Sequence, residues 1–319
     1  MRTPKALAAA ALASALTLSL AGCGSDDASS ADSGETVTVT DSRGEEQVPL
    51  DPDSVVVFDM GVLDTLDTLG VDAVTGVAKG GAVPSYLEKY ASDDYVTVGD
   101  LFEPDLEAIP RAEPDLIIVG GRSSAMHDTL EETFDGVPVL DMSVDEGDYF
   151  TSARSNVLEL AKIFGRTDEA EKVIAEQTER IETVREKADG AGKGLVLLTS
   201  GGEVTAYSVG SRFGFLHEEF GVEAATGELG DEESRHGEAI SFEFVRKTDP
   251  DRLYVVDRDA AIGEEGKSAE EILDNDLVRA TKAWKQKQVT YVDGEAWYIV
   301  VGGLTSMGTL IDEVEQSLS

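Results

Sequence analysis

Apolar residues fall into two kinds of run along this chain. Thr36 to Thr40 alternates, Asp41-Ser42-Arg43-Gly44 supplies turn chemistry, and Glu45 to Leu50 returns, which predicts a β-hairpin. From Ser54 the pattern changes to short runs that are apolar almost throughout: Val55–Phe58, Ala73–Val77, Leu116–Val119 and Val137–Leu140. Helical spacing separates them over Gly61–Leu69, Leu106–Ile109 and Thr129–Phe134. Strands covered on both faces read as such runs, so the alternation predicts a mostly parallel sheet between layers of helices.

A long helical tract follows. Asp148 to Phe164 carries Val157, Leu158, Leu160, Ala161 and Ile163 and stops at Gly165. Thr167, with Asp168 and Glu169 behind it, has the chemistry of a helix start, and that second helix runs to about Ala188 before Gly190. The alternation then restarts. Strands are predicted at Gly194–Leu198, Val204–Tyr207, Leu253–Val256 and Val289–Val292, and helices at Phe213–Phe220, Ala269–Leu273 and Gly303–Leu318. The predicted fold is therefore α/β, with two Rossmann-like lobes, 36–147 and 166–319, joined by one long rigid helix over 148–165. Such a helix reaches about 25 Å. Lobes of this kind face each other across a crevice lined by strand ends.

The first residues stand apart. Arg2 and Lys5 precede an apolar run from Ala6 to Ala21, and Leu20-Ala21-Gly22-Cys23 ends it on small residues and the chain's only cysteine. This is the layout of a secretory leader, and it falls short of the roughly 20 apolar residues of a membrane span. The L-A-G-C ending resembles a bacterial lipoprotein signal. That resemblance implies a signal peptide over 1–22, lipidation of Cys23 and a cell-membrane anchor on the extracytoplasmic face. Gly24 to Ser30 is small and polar, so 23–35 reads as a flexible stalk. With one cysteine, the fold uses no intrachain disulfide and rests on its hydrophobic cores.

Charge narrows the choice of partners. The chain has 64 acidic and 26 basic residues, a net charge of −38. That argues against nucleic acid, which calls for clustered Lys and Arg, and against adhesion of the protein surface to anionic lipid. A solvated acidic shell accounts for the excess. Against it, arginines recur in three loops: Gly120-Gly121-Arg122-Ser123-Ser124, Gly210-Ser211-Arg212-Phe213-Gly214 and Val255-Val256-Asp257-Arg258-Asp259. Each follows a strand or precedes a helix, which places it at the crevice. Singly, each is accounted for by a surface ion pair. Jointly, three guanidinium forks suit a polyanion with spread charge.

His236 lies in Ser234-Arg235-His236-Gly237, and Tyr298 in Trp297-Tyr298-Ile299-Val300-Val301-Gly302-Gly303. Imidazole and phenolate both ligate Fe(III). On the residues alone, a loop hydrogen bond for His236 and a packing role for Tyr298 outweigh ligation. His127 reads as a surface-helix residue, and His217, one turn after Arg212, as a neighbour of the same region. Three histidines are too few for a site of several imidazoles. No H-E-x-x-H, G-x-S-x-G, P-loop or C-x-x-C motif is present, which counts against an extracytoplasmic hydrolase using His236 or His217.

Several stretches in order carry a wider resemblance. They are Phe58-Asp59-Met60-Gly61-Val62-Leu63-Asp64-Thr65-Leu66, Pro84-Ser85-Tyr86-Leu87, Val98-Gly99-Asp100-Leu101-Phe102-Glu103-Pro104-Asp105-Leu106-Glu107, the three arginine loops, His236-Gly237 with Ser241-Phe242-Glu243, Ile272-Leu273-Asp274-Asn275, and Trp297-Tyr298. Together they resemble the substrate-binding lipoproteins of ABC importers for ferric siderophores, of the catecholate and petrobactin type with a helical backbone. The resemblance covers nearly all of the chain beyond Cys23. It implies the class III periplasmic-binding-protein fold with little hinge motion, a monomer and no enzymatic activity. No cofactor is permanently bound, and the ligand is an Fe(III)–siderophore complex. Arg122, Arg212 and Arg258 are implied to pair with that anionic centre, and His236 and Tyr298 to complete iron coordination where the siderophore leaves positions open. Glu107 and Glu243 are implied to dock on the permease dimer, which works with a cytoplasmic ATPase. Haem, cobalamin and hydroxamate siderophores are the alternative cargoes. Three arginines favour a catecholate or mixed catecholate/carboxylate ligand over neutral ones.

Overall fold

The computed structural model describes residues 35–79, 83–227, 229 and 237–319. The leader, Cys23 and His236 lie outside the described residues. The hairpin forms as its alternation predicts: β1 (Thr36–Thr40) pairs antiparallel with β2 (Glu45–Pro49), and Val39 and Val48 are its buried residues. The apolar runs become β3 (Val55–Val57), β4 (Val74–Val77), β5 (Val96–Thr97), β6 (Leu116–Val119) and β7 (Val139–Asp141). These make one sheet in the order β5-β4-β3-β6-β7, parallel throughout. Helix α1 (Met60–Thr68) follows β3, and α2 (His127–Thr133) precedes β7. From β3 the chain winds outward to β5, then returns to β6 and winds the other way. The direction of winding therefore switches between β3 and β6, where doubly wound sheets open a crevice at their carboxyl ends.

The second sheet contains β8 (Lys193–Ser200), β9 (Glu203–Tyr207), β10 (Glu223–Ala224), β11 (Glu238–Ala239), β12 (Arg252–Asp257) and β13 (Val289–Val292). Its order is β11-β9-β8-β12-β13, with β10 also on β8. β8, β12 and β13 run parallel. β9 lies antiparallel to β8, because Gly201 and Gly202, at φ +59° and +84°, close a tight turn in place of a crossover helix. The parallel expectation thus holds for the first sheet and, in the second, for the pairings among β8, β10, β12 and β13, with β9 alone reversed.

Helices α3 (Tyr149–Ile163) and α4 (Thr167–Ala188) fill the tract between the sheets, separated by Gly165 at φ +63°. The C-terminal helix Leu304–Ser317 buries Leu304, Met307, Leu310, Ile311 and Val314, a stripe at helical spacing, against both α1 and α4. Its first turn is capped from the first sheet's helix. Asp64 of α1 accepts from the amides of Thr305 (3.1 Å) and Ser306 (2.8 Å). The fit there is close: a Cβ on Gly303 would come within 2.1 Å of the Asp64 carboxylate, and one on Gly61 within 2.0 Å of the Val301 carbonyl oxygen. Gln177 of α4 donates to the Leu304 carbonyl at 2.8 Å. α3 is therefore not the sole tie between the sheets.

One apolar cluster runs from the first sheet through α3, α4 and the C-terminal helix to Val196, Leu198, Tyr254 and Val256 on one face of the second sheet. The alternate residues Leu195, Leu197, Leu253 and Val255 build a second cluster on the opposite face. Residues 35–319 accordingly form a single compact unit. Two predicted helices shrink. Leu106–Ala108 is a turn followed by a 3-10 stretch, Ile109–Ala112, because Asp105 takes the amides of Glu107 and Ala108 and Pro110 has no N–H. Of Phe213–Phe220, only Phe215–Glu218 is α-helical. Among the described residues, no helix is long and apolar enough to cross a membrane.

Candidate functional site

Five side chains from five loops converge where the two sheets face each other. After β3, Asp59 caps α1 by accepting from Gly61 N (2.8 Å) and Val62 N (3.0 Å). After β6, Gly120 passes so close to Asp59 that a Cβ would sit 3.2 Å from its carboxyl carbon, and Gly121, at φ +51°, turns the chain into a short helical turn carrying Arg122. From the second sheet, Arg212 stands on the turn ahead of helix Phe215–Glu218. Arg258 opens helix Arg258–Ala261 directly after β12, where Asp257 caps the Ala260 amide at 3.1 Å. The fifth residue is Tyr298. It lies in a π-helical turn, Glu295–Ile299, closed by Val300 N donating to Glu295 O at 2.9 Å. Such turns recur at functional sites because the extra residue re-aims a side chain. Its neighbour Trp297 is buried and donates Nε1–H to Glu313 at 2.7 Å, which anchors the turn from behind.

The Tyr298 ring is the hub. The guanidinium carbons of Arg212, Arg122 and Arg258 lie 4.7, 5.2 and 5.6 Å from its centroid. Arg122 donates through Nη2 to the Tyr298 carbonyl (2.7 Å) and through Nη1 to the Ile299 carbonyl (3.3 Å). Arg212 reaches the same Tyr298 carbonyl at 3.2 Å. Arg258 donates through Nε to the Tyr298 hydroxyl (3.0 Å) and through Nη1 to Ser200 Oγ (3.1 Å). A guanidinium carries five N–H groups, more than these contacts use. The cavity over this cluster has a volume of about 500 Å³. The first sheet contributes Asp59, Arg122 and Met142 to its walls, and the second contributes Tyr207, Arg212 and Arg258, with Phe102 at the edge.

Three cations around one ring repel one another, and the electrostatics show it. Burial lowers the pKa of Arg212, Glu146 pulls it back up, and Arg122 lowers it further. Arg258 is raised, first by its hydrogen bond to Tyr298. Burial pushes the Tyr298 phenol up, but the Arg258 hydrogen bond and the charges of all three arginines outweigh it, and its pKa ends below the usual value of 10. Burial also raises Asp59, against the Val62 amide and the Arg122 charge, and pushes Tyr207 up to about 12. The site is thus a pre-assembled cluster of three guanidinium groups, with Asp59 and Glu146 also in the cavity wall and Asp259 3.7 Å from Arg258. The N–H groups these contacts leave over suit anionic oxygen.

The histidines fall elsewhere. His217 is within hydrogen-bond distance of the Val222 carbonyl (2.7 Å), burial lowers its pKa, and it does not line the cavity, contrary to expectation. His127 is buried, not on a surface helix: its Nε2 lies 3.0 Å from the Val139 carbonyl, so the ring packs back onto β7. Its ligand atoms come within 4.8 Å of those of Asp128 and Glu131, though Arg43 already pairs with Asp128 at 2.6 Å. Glu107 and Glu243 are both exposed. Sequence reasoning missed Asp59, Tyr207 and Phe102 as lining residues. Asp59 had a usable signal, an acid at the junction of an apolar strand and a helix.

Two α/β units on a helical backbone, with a cationic cleft at their strand ends, define a solute-binding receptor. Residues 55–296 match the periplasmic binding protein family, and the chain belongs to it. It is 36% identical over 315 residues to petrobactin-binding protein YclQ of Bacillus subtilis (strain 168), covering 97% of this chain and 96% of that protein. The crystal structure of YclQ aligns with a TM-score of 0.80 over 89% of this chain and 99% of the solved one. Ferric-anguibactin-binding protein FatB of Vibrio anguillarum (strain ATCC 68554 / 775) is 32% identical over 286 residues, covering 87% of this chain and 86% of FatB. The periplasmic catecholate-siderophore-binding protein VctP of Vibrio cholerae aligns with a TM-score of 0.82 at 32% identity, over 88% of this chain and all of the solved chain. The family and these relatives are binding proteins, and this chain is likewise a binding protein and not an enzyme.

Proposed function

We propose that this protein is an extracytoplasmic receptor that captures an anionic ferric siderophore, catecholate or mixed catecholate/carboxylate, and delivers it to an ABC importer. The convergence of Arg122, Arg212 and Arg258 on Tyr298 carries the reading. A catecholate–Fe(III) centre spreads negative charge over several oxygens, which is what three separated guanidinium forks accommodate. The ligands named for YclQ, FatB and VctP support the same cargo class. In this reading the lobes are 36–147 and 166–319 with the connecting helix over 148–165, and Arg122, Arg212 and Arg258 hold the anion. Tyr298 and His236 take iron positions that the siderophore leaves open. Lipidation of Cys23 tethers the receptor to the cell membrane as a monomer, which keeps the cargo at high local concentration beside its permease dimer and ATPase. Glu107 and Glu243 present one exposed acid on each lobe for docking.

Trp297, adjacent to Tyr298 in the π-turn, is the reporter for the test. Protein lacking residues 1–23 is titrated with ferric catecholate, ferric trihydroxamate, haem and cobalamin while its fluorescence is followed. Saturable quenching by the ferric catecholate supports the proposal. Quenching by haem or cobalamin alone reassigns the cargo, and no quenching by any of the four overturns the receptor reading.

A further inference from the structure

We propose that Phe102 is a stacking platform at the cleft edge that selects siderophores bearing an aromatic ring; the inference rests on the receptor function above. Phe102 is 71% exposed, whereas the other exposed large apolar residues among those described lie between 36% and 41%. It also lines the cavity that holds the arginine cluster.

Its exposure is built in by the backbone. The Asp100 carboxylate accepts from the amides of Phe102 (2.7 Å) and Glu103 (2.8 Å), and the Asp100 amide donates to the Glu103 carbonyl at 3.0 Å. Gly99 and Pro104 bridge across the base of the turn. Gly99 has φ +113°, and a Cβ there would come within 2.3 Å of the Glu103 carbonyl oxygen, so the loop closes only on glycine. Asp105 N returns to Val98 O at 2.8 Å, which ties the turn to the end of β5. These bonds fix the backbone of the turn, and its phenyl ring stands exposed beside the cavity, open to a ligand that enters there.

The chemistry of the cavity says what that is. Its floor is cationic and takes the metal-bound oxygens, whereas Phe102 offers only a π-face and an edge. The ligand that satisfies both carries anionic oxygens at its centre and flat aryl groups around them, as an iron–catecholate does. An aliphatic hydroxamate or citrate chelate satisfies the floor at most. Offset or edge-on ring packing at an accessible site strengthens binding by roughly three- to tenfold.

The test compares Phe102→Ala, Phe102→Leu and Phe102→Tyr with the parent, using the full chain in detergent. Dissociation constants are measured by fluorescence quenching for a ferric tris-catecholate and for ferric citrate. Phe102→Ala and Phe102→Leu are expected to weaken the tris-catecholate by roughly three- to tenfold, with Phe102→Tyr close to the parent and citrate unaffected in all three. Equal tris-catecholate affinity in Phe102→Ala and the parent overturns the inference while leaving the receptor function standing. So does full rescue by Phe102→Leu, which would make the contact merely greasy. A parent that binds neither chelate removes the receptor function itself. Thermal unfolding of each variant should match the parent, because so exposed a ring contributes little packing.

Discussion

Replacing Arg212 by methionine should weaken the ligand and strengthen the protein. The guanidinium sits against the Tyr298 ring at 4.7 Å and the Phe213 ring at 5.1 Å, beside two other cations, and burial lowers its pKa. In the free receptor burial and the neighbouring cations work against the charge, and Glu146 and the Tyr298 carbonyl offset them only in part. Methionine fills a similar volume without it. With ligand present the balance reverses. One unit charge at roughly 5 Å from an anionic oxygen, at an effective dielectric of about 20, is worth about 3 kcal/mol, or on the order of 10²-fold in Kd. Calorimetry on the free protein should show Arg212→Met unfolding at a higher temperature than wild type. Quenching titrations should show a Kd for ferric catecholate raised by roughly 10²-fold. Midpoint and affinity falling together would refute the reasoning, since Arg212 would then be holding the fold and not waiting for an anion. Unchanged affinity would refute it from the other side.

Tyr298→Phe removes the acceptor of the Arg258 Nε–H bond. Tyr298 ionises below the usual tyrosine value when folded, so it adds stability above pH of about 10 that is lost as pH falls through its folded pKa; alkaline absorbance titration should show one early tyrosine in wild type and none in the variant. Asp64→Ala strands the Thr305 and Ser306 amides, and urea unfolding should register a loss of about 2 kcal/mol. Burial raises the Asp64 pKa above 3.8, so its contribution is full below that pH and shrinks as pH rises through the folded value; the gap between wild type and variant should be wider at pH 4 than at pH 8, and a gap that widens with pH would contradict the assignment. Replacing Glu107 and Glu243 together by alanine should leave the Kd for ferric catecholate unchanged and lower cellular iron uptake. A shift in Kd would place them in ligand binding instead.

Much of this fold is legible in the sequence. β6, β13 and helix Ala269–Leu273 fall where the apolar runs and helical spacing put them, because each is short, strongly patterned and bounded by turn residues. The arginine loops were readable because arginine is scarce in so acidic a chain and recurs at strand ends. Features that depend on distant parts of the chain were not. The Asp64 cap lies 241 residues from Thr305, and no local pattern announces it. His127 has the neighbours of a surface residue, yet β7 supplies a carbonyl that draws it inward. The π-turn reads as an ordinary apolar stretch, since one added residue in a helical turn leaves no compositional trace. Phe102 sits in the sequence as one residue of a motif, and its place beside the cavity depends on residues of both sheets that lie far from it along the chain.

The capping of the C-terminal helix by Asp64 has a consequence for traffic at the importer. With Gly61 and Gly303 leaving no slack, helix α1 of the first sheet is clasped to the start of the C-terminal helix. Under the proposed receptor function, a clasp that held in both states would give an empty receptor nearly the outline of a full one. Empties would then compete with loaded copies at the importer, and receptor made beyond the cargo supply would slow uptake.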